Sequence, residues 1–75
     1  MTYKNFLKVI SRIKAIAAEN EIDTCDIAVT IRTTSGQEIK AWAQELDYTD
    51  NEVLEIFTDD TYRFVTYSNI ESIAI

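Results

Sequence analysis

Histidine is absent from this 75-residue chain, and cysteine and glycine occur once each. Without histidine, the commonest acid–base side chain is missing and any His-containing metal site is excluded. Cys25 alone cannot form an intrachain disulfide, and no histidine is present to activate it as a nucleophile. It stands at the start of a strand pattern and reads as a small buried apolar residue. With Gly36 as the single glycine, there is no glycine-rich loop to cradle a phosphate. Ser11, Ser35, Ser68 and Ser72 have no base partner. An enzyme is therefore not expected, and no cofactor is implied. No apolar run approaches the length that spans a bilayer. The opening MTYKNFLKVISRIK is interrupted by charge too often for a signal peptide. The expectation is a soluble, cytoplasmic protein with no membrane partner.

What is present points to one small globular domain over residues 1–75. The apolar share is 47%, which separates the chain from disordered sequences. A domain of this size buries only about 60% of the surface its unfolded chain exposes, and it commonly needs added support. With disulfides and His-containing metal sites excluded, oligomerisation is the expected support, and good packing alone is the alternative. Charge is unevenly placed. Residues 1–18 carry Lys4, Lys8, Arg12 and Lys14 and no acid, whereas residues 19–75 carry three basic residues and all thirteen acids. An acidic body argues against a broad nucleic-acid surface, and the basic head leaves a local contact open.

Hydrophobic periodicity changes once along the chain. Over 3–18, Tyr3, Phe6, Leu7, Ile10, Ile13 and Ala17 recur at helical steps, with Val9 and Ile16 widening the stripe. Lys4, Lys8 and Arg12 stand four apart on the other side, and Thr2 is placed to cap the N-terminus. From about residue 26 the period becomes two, predicting strands over 26–33, 37–45, 53–58, 62–67 and 70–75. Gly36 takes the positive-φ position of the first hairpin, and Asp59 and Asp60 turn the second. No repeat, linker or low-complexity segment is evident. The pairs Asp47/Asp50 and Asp59/Asp60 lack the ligand spacing of an EF-hand loop and read as solvated turn acids, so no metal site is assigned. One helix before five strongly bent antiparallel strands predicts a mostly β fold of the SH3-like small-barrel type.

The stretch LDYTDNEVL, residues 46–54, spends many polar residues on one chain reversal. Gly36, Asp47, Asn51 and Leu54 fall on the spacing of the first motif of Sm-like proteins: a turn glycine, a strand, an Asp, an Asn four later and a Leu three after that. VTYSNIESI, residues 65–73, falls where the second motif lies. The chain thus resembles the Sm-like family over nearly its whole length, most closely its bacterial or phage-borne members. The resemblance implies an Sm-like fold and a homo-oligomeric ring of about five to seven subunits. Such rings close by pairing the fourth strand of one subunit with the fifth of the next. Interface candidates are then Tyr62, Phe64, Thr66, Ile70, Ile73 and Ile75. It also implies a pore loop at which single-stranded, U-rich RNA is held. Candidate contacts there are Asp47, Tyr48, Thr49, Asn51 and Tyr67, with Lys4, Lys8 and Arg12 as a basic helix face.

Two departures weaken the RNA reading. Thr49 stands where the family often carries a stacking aromatic or histidine. Thr66, Tyr67 and Ser68 stand where it usually brings a cation. Three acids, Asp47, Asp50 and Glu52, would repeat around the pore and repel phosphate. Two functions follow: a ring that binds U-rich RNA weakly at the pore loop, and a ring-shaped scaffold that has lost RNA binding. The segment IESIAI argues for assembly without the resemblance, because an apolar edge strand with neither Lys nor Pro invites pairing.

Overall fold

A computed structural model describes residues 1–75, and its elements follow from the local chemistry of the chain. Helix α1 spans Tyr3–Glu19. Thr2 Oγ1 accepts from the Asn5 N–H at 3.1 Å, satisfying one of the unpaired donors of the first turn. Phe6, Ile10, Ile13 and Ala17 are buried along one stripe. Leu7, read from periodicity as part of that stripe, is exposed. It lies at the stripe's margin, one residue beyond Phe6, and shares its side of the helix with Lys4 and Lys8.

The helix ends in a Schellman motif. Glu21 N–H donates to Ala18 O (3.2 Å) and Ile22 N–H donates to Ala17 O (2.8 Å). The motif needs a left-handed residue, and Glu21 occupies that position at φ 56°. Its Cβ opposes this conformation, and glycine does not. Glu21→Gly is therefore expected to stabilise the protein by about 1 kcal/mol, raising Tm by roughly 4–8 °C in a thermal melt.

After a 3-10 turn at Thr24–Asp26 come six antiparallel strands: β1 (Ala28–Thr33), β2 (Glu38–Trp42), β3 (Leu46–Asp47), β4 (Val53–Thr58), β5 (Thr61–Thr66) and β6 (Ile70–Ala74). They form two three-stranded sheets, ordered β2-β1-β6 and β3-β4-β5. No helix is long and apolar enough to cross a membrane.

Three sequence expectations change here. The strand read over 37–45 stops at Trp42, because Ala43–Glu45 form a 3-10 turn. Glu45 Oε1 accepts from the Trp42 N–H at 2.7 Å and closes that turn. The chain thereby leaves the first sheet and enters the second as β3. The expected five strands are accordingly six. Cys25 is exposed, not buried. The strand starts only at Ala28, and Cys25 rides on the preceding turn.

The third change is an internal repeat. β1, β2, the turn Ala43–Glu45 and β3 are matched by β4, β5, the turn Tyr67–Asn69 and β6. Each half is a hairpin, a 3-10 turn and a strand, and that last strand pairs with the first strand of the other half. Matching positions keep their apolar character, and in one pair their identity: Val29 with Leu54, Ile31 with Ile56, Leu46 with Ile70. All six are buried.

The two hairpin turns differ. Gly36 N–H donates to Thr33 O (2.9 Å), and Gly36 at φ 88° makes a three-residue loop. Asp59 and Asp60, at φ 53° and 58°, make a two-residue turn of the kind that matches the strand twist. The halves are also unequal in cover. Ile39 and Ala41 of β2 are buried, whereas in β5 only Val65 is even half-buried.

Candidate functional site

The loop between β3 and β4 is shaped by two carboxylates. Asp47 Oδ1 accepts from the Thr49 N–H (3.0 Å) and hydroxyl (2.8 Å). Asp50 Oδ1 accepts from the N–H groups of Glu52 (2.8 Å) and Val53 (3.0 Å), starting β4. These are side-chain-to-backbone turns of the sort Asp favours. The N–H and hydroxyl of Thr49 hold Asp47 below the usual carboxylate range, and the N–H groups of Glu52 and Val53 do the same for Asp50. Both are anions at neutral pH. Asn51 is exposed, and its amide makes no hydrogen bond within the chain. The role of Asp50 was open to sequence reasoning, since Asp followed two and three residues later by a strand start is the spacing of such a cap.

Behind the loop lies an aromatic knot. Tyr67 is 2% exposed. Its ring centroid lies 4.9 Å from those of Tyr3 and Phe6. Its hydroxyl donates to Asp50 O at 3.0 Å. Phe6 meets the edge of Tyr48 at 5.6 Å, and the Tyr3 hydroxyl donates to Tyr48 O at 2.7 Å. Lys14 Nζ donates to the Tyr48 hydroxyl at 2.9 Å. It stands 5.7 Å from the ring centroid, beyond the hydroxyl and not over the face, so the contact is a hydrogen bond. Helix and loop are thus one packed unit.

Tyr67 is accordingly withdrawn as a base-stacking candidate. It caps the core where a 3-10 turn begins, and both neighbouring rings are already packed on it. Tyr48 is half-buried on the same knot, with its hydroxyl held by Lys14. Of the loop candidates, Asn51 has a free polar group, while Asp47 and Thr49 hold each other.

Burial, then the charges of Tyr3, Asp50 and Asp47, push the Tyr67 phenol up to about 12. The folded value lies above the ordinary one. The neutral phenol therefore stabilises the fold fully below about pH 10, and this is lost as pH rises through about 12. Tyr67→Phe is expected to cost about 1 kcal/mol at neutral pH through the lost hydrogen bond. It should also flatten the alkaline fall in stability. Urea midpoints of both proteins between neutral pH and about 12 test this; a gap that stays constant across the range contradicts it.

The interface candidates lie on open edges. Ladder bonds in antiparallel pairs alternate along the strand. Tyr67 N–H donates to Glu52 O at 3.1 Å, which fixes the phase of β4 on β5. Val65, Arg63 and Thr61 bond β4, and Tyr62, Phe64 and Thr66 turn their backbone N–H and C=O to the open side. On β1, the bonds Thr33 N–H to Gln37 O (2.9 Å) and Ala43 N–H to Ile27 O (2.8 Å) direct Val29, Ile31 and Thr33 toward β2. Thr30 and Arg32 then bond Ala74 and Ser72 of β6, and Ile73 presents its backbone groups outward. Tyr62 and Phe64 are 60% and 66% exposed, and Ile75 is 60% exposed. Ile70 is 1% exposed, so its side chain fills the protein's own core.

Sequence reasoning passed over Phe57. The two-residue turn places it opposite Tyr62, ring centroids 4.4 Å apart, and Tyr62 in turn stacks toward Phe64 at 6.5 Å. The exact turn length was the missing signal. On the helix, Lys4 and Lys8 form no ion pair, and Arg12 meets Glu19 at 4.0 Å between exposed side chains, a pair of little weight. Ligand atoms of Asp23, Cys25 and Asp26 lie within 4.8 Å of one another, all on exposed residues of one turn, an arrangement common without any ion. Comparison of the chain with protein-family models, curated proteins and solved structures gives no match.

Proposed function

We propose that the chain is a ring-forming scaffold in which β5 of one copy pairs with β6 of the next. The observation that carries this reading is the pair of open edges. β5 offers the outward backbone of Tyr62, Phe64 and Thr66, and β6 offers that of Ile73, with almost no cover on β5. An exposed aromatic edge strand is a pairing template that monomeric proteins suppress. The finer fold belongs to the same proposal: the two sheets form a small Sm-like barrel, closed where β2 bends into β3 and β5 into β6. The contact is head-to-tail, so it closes into a ring when the rotation per subunit fits, about five to seven copies by the Sm-like resemblance.

RNA binding is the second reading, and the unbonded amide of Asn51 favours it. An amide offers both donor and acceptor to a uracil edge. Against it stand the anionic Asp47 and Asp50 and the burial of Tyr67. Scaffold is therefore the stronger reading, with weak RNA contact at Asn51. Light scattering at micromolar concentration is expected to give the mass of about five to seven chains, and a stable monomer would refute the ring. Oligo(U) titrated at ~0.15 M salt is expected to bind no tighter than micromolar. Nanomolar binding lost on Asn51→Ala would instead establish the RNA reading.

A further inference from the structure

The outer face of the second sheet carries a groove between the turn Ala43–Glu45, the loop and the β4–β5 hairpin. Glu45, Asp47 and Glu55 line it together with Phe57 and Tyr62, and no lysine or arginine does. Glu55 pairs with Asp47 on one side and with Phe64 on the other, and its carboxylate makes no hydrogen bond or ion pair. Phe57, Tyr62 and Phe64 are all exposed. This is an apolar surface with carboxylates beside it and nothing in the chain upon it.

The helix carries the complementary pattern. Lys4, Leu7, Lys8 and Ser11 recur at helical steps on the side away from the core, and all are exposed. Lys4 and Lys8 have no acidic partner, and Leu7 stands beside them as an exposed apolar side chain. Within one chain the helix reaches the loop by Tyr3, Phe6 and Lys14.

We propose that the groove of one copy receives the Lys4–Leu7–Lys8 stripe of a second copy. Leu7 lies on the aromatic floor, and the two ammonium groups meet Glu55, Asp47 and Glu45, with the rings of Phe57 and Tyr62 adding cation–π attraction. A second copy is the occupant because the chain divides its own charge this way: residues 1–18 hold four cations and no acid, and all thirteen acids follow. The two patches differ, so the contact is heterologous and adds copies head to tail. It uses surfaces other than the open backbone of β5 and β6, and it goes beyond the ring reading.

Charge reversal tests it on the full chain. Sedimentation velocity at about 0.05 M and 0.5 M salt reads the association, since screening shortens from over 10 Å toward a few ångström across that range. The low-salt species is expected to dissociate at high salt. Glu55→Lys and Lys8→Glu should each weaken association about tenfold, and the two together should restore it to within about threefold of the parent. Circular dichroism confirms that each variant is folded. The salt-sensitive step should persist in an Ile73→Pro background, where the β-edge contact is blocked, so failure of one interface is distinguishable from failure of the other. Association indifferent to salt and to both single reversals, or a double reversal that restores nothing, overturns the proposal. Glu55-dependent binding of oligo-lysine without self-association also overturns it, in favour of a foreign basic partner.

Discussion

Phe6→Ala is expected to remove about 3–5 kcal/mol of stability at 25 °C, the largest loss from any single truncation considered. Phe6 is 0% exposed and is the side chain on which Tyr67 and Tyr48 both pack. Truncating a buried phenylalanine costs about 3–5 kcal/mol, from lost transfer energy and the cavity left behind. A chain of this length is stable by roughly 4–11 kcal/mol in all. The loss therefore runs from about a quarter of the total to all of it. The first turns of the helix meet the loop through this knot, so that part of its attachment goes with the Phe6 ring. In urea the midpoint should fall by about 2 M, with near-ultraviolet dichroism of the tyrosines flattened. Leu7→Ala is the control. Leu7 is 37% exposed one position along the same helix, and its truncation should cost under about 1 kcal/mol. Equal losses for the two variants would mean that the helix packs through a different face.

The contrast between Phe6 and Leu7 marks the limit of what periodicity can resolve. A helical stripe is broad, and both residues fall within it; only the position of the packed partners decides which one is covered. The strands were legible for a similar reason and to a similar extent. Alternation at Val29, Ile31, Ile39 and Ala41 reads directly as an inner face. It continues unbroken through Trp42 and Ala43, so nothing local marks the turn that Glu45 closes. Glu45 can only be seen as a cap once the chain is known to change sheets there. The repeat was invisible because its halves share apolar character and, among the matched core positions, only the identity of Ile31 with Ile56. Cys25 was misread because a two-residue shift in the strand start moves it from a pleated face to an exposed turn.

In the loop, the spacing of Asp47 and Thr49 carried a hydrogen-bonding turn in plain view. Burial of Tyr67 was hidden, since sequence shows an aromatic at the end of a strand and not the helix folded over it. Asn51 is exposed and unbonded, and the departures at Thr49 and Thr66 are joined by a buried Tyr67. The candidate RNA site is thus thinner in the structure than in the sequence, while the edge strands are more open. That asymmetry is why assembly is placed ahead of RNA binding.

Ile73→Pro and Phe64→Pro are each expected to open the proposed β5–β6 ring while leaving the fold in place. Proline removes one backbone donor and fixes φ. In most strand positions that breaks the internal ladder, but these two positions are different. The phase of the ladder directs the N–H of Phe64 away from β4 and that of Ile73 away from β1. Neither donor is used inside the chain. In the proposed ring, what each substitution removes is a donor to the neighbouring copy, together with the close approach of that copy's strand. Since every subunit supplies both edges, one lesion per chain interrupts every contact around the ring. Val65→Pro provides the contrast: its N–H bonds β4, so proline there should lower stability by about 3 kcal/mol or more, whatever the assembly does. Light scattering and urea unfolding, read together, separate the two effects. At about 0.5 M salt, where screening removes the charge-dependent contact, Ile73→Pro and Phe64→Pro should report the mass of one chain and a midpoint set by the fold alone. A parent protein and an Ile73→Pro variant of equal mass would show that β6 pairs with nothing, and the scaffold reading would fall with it.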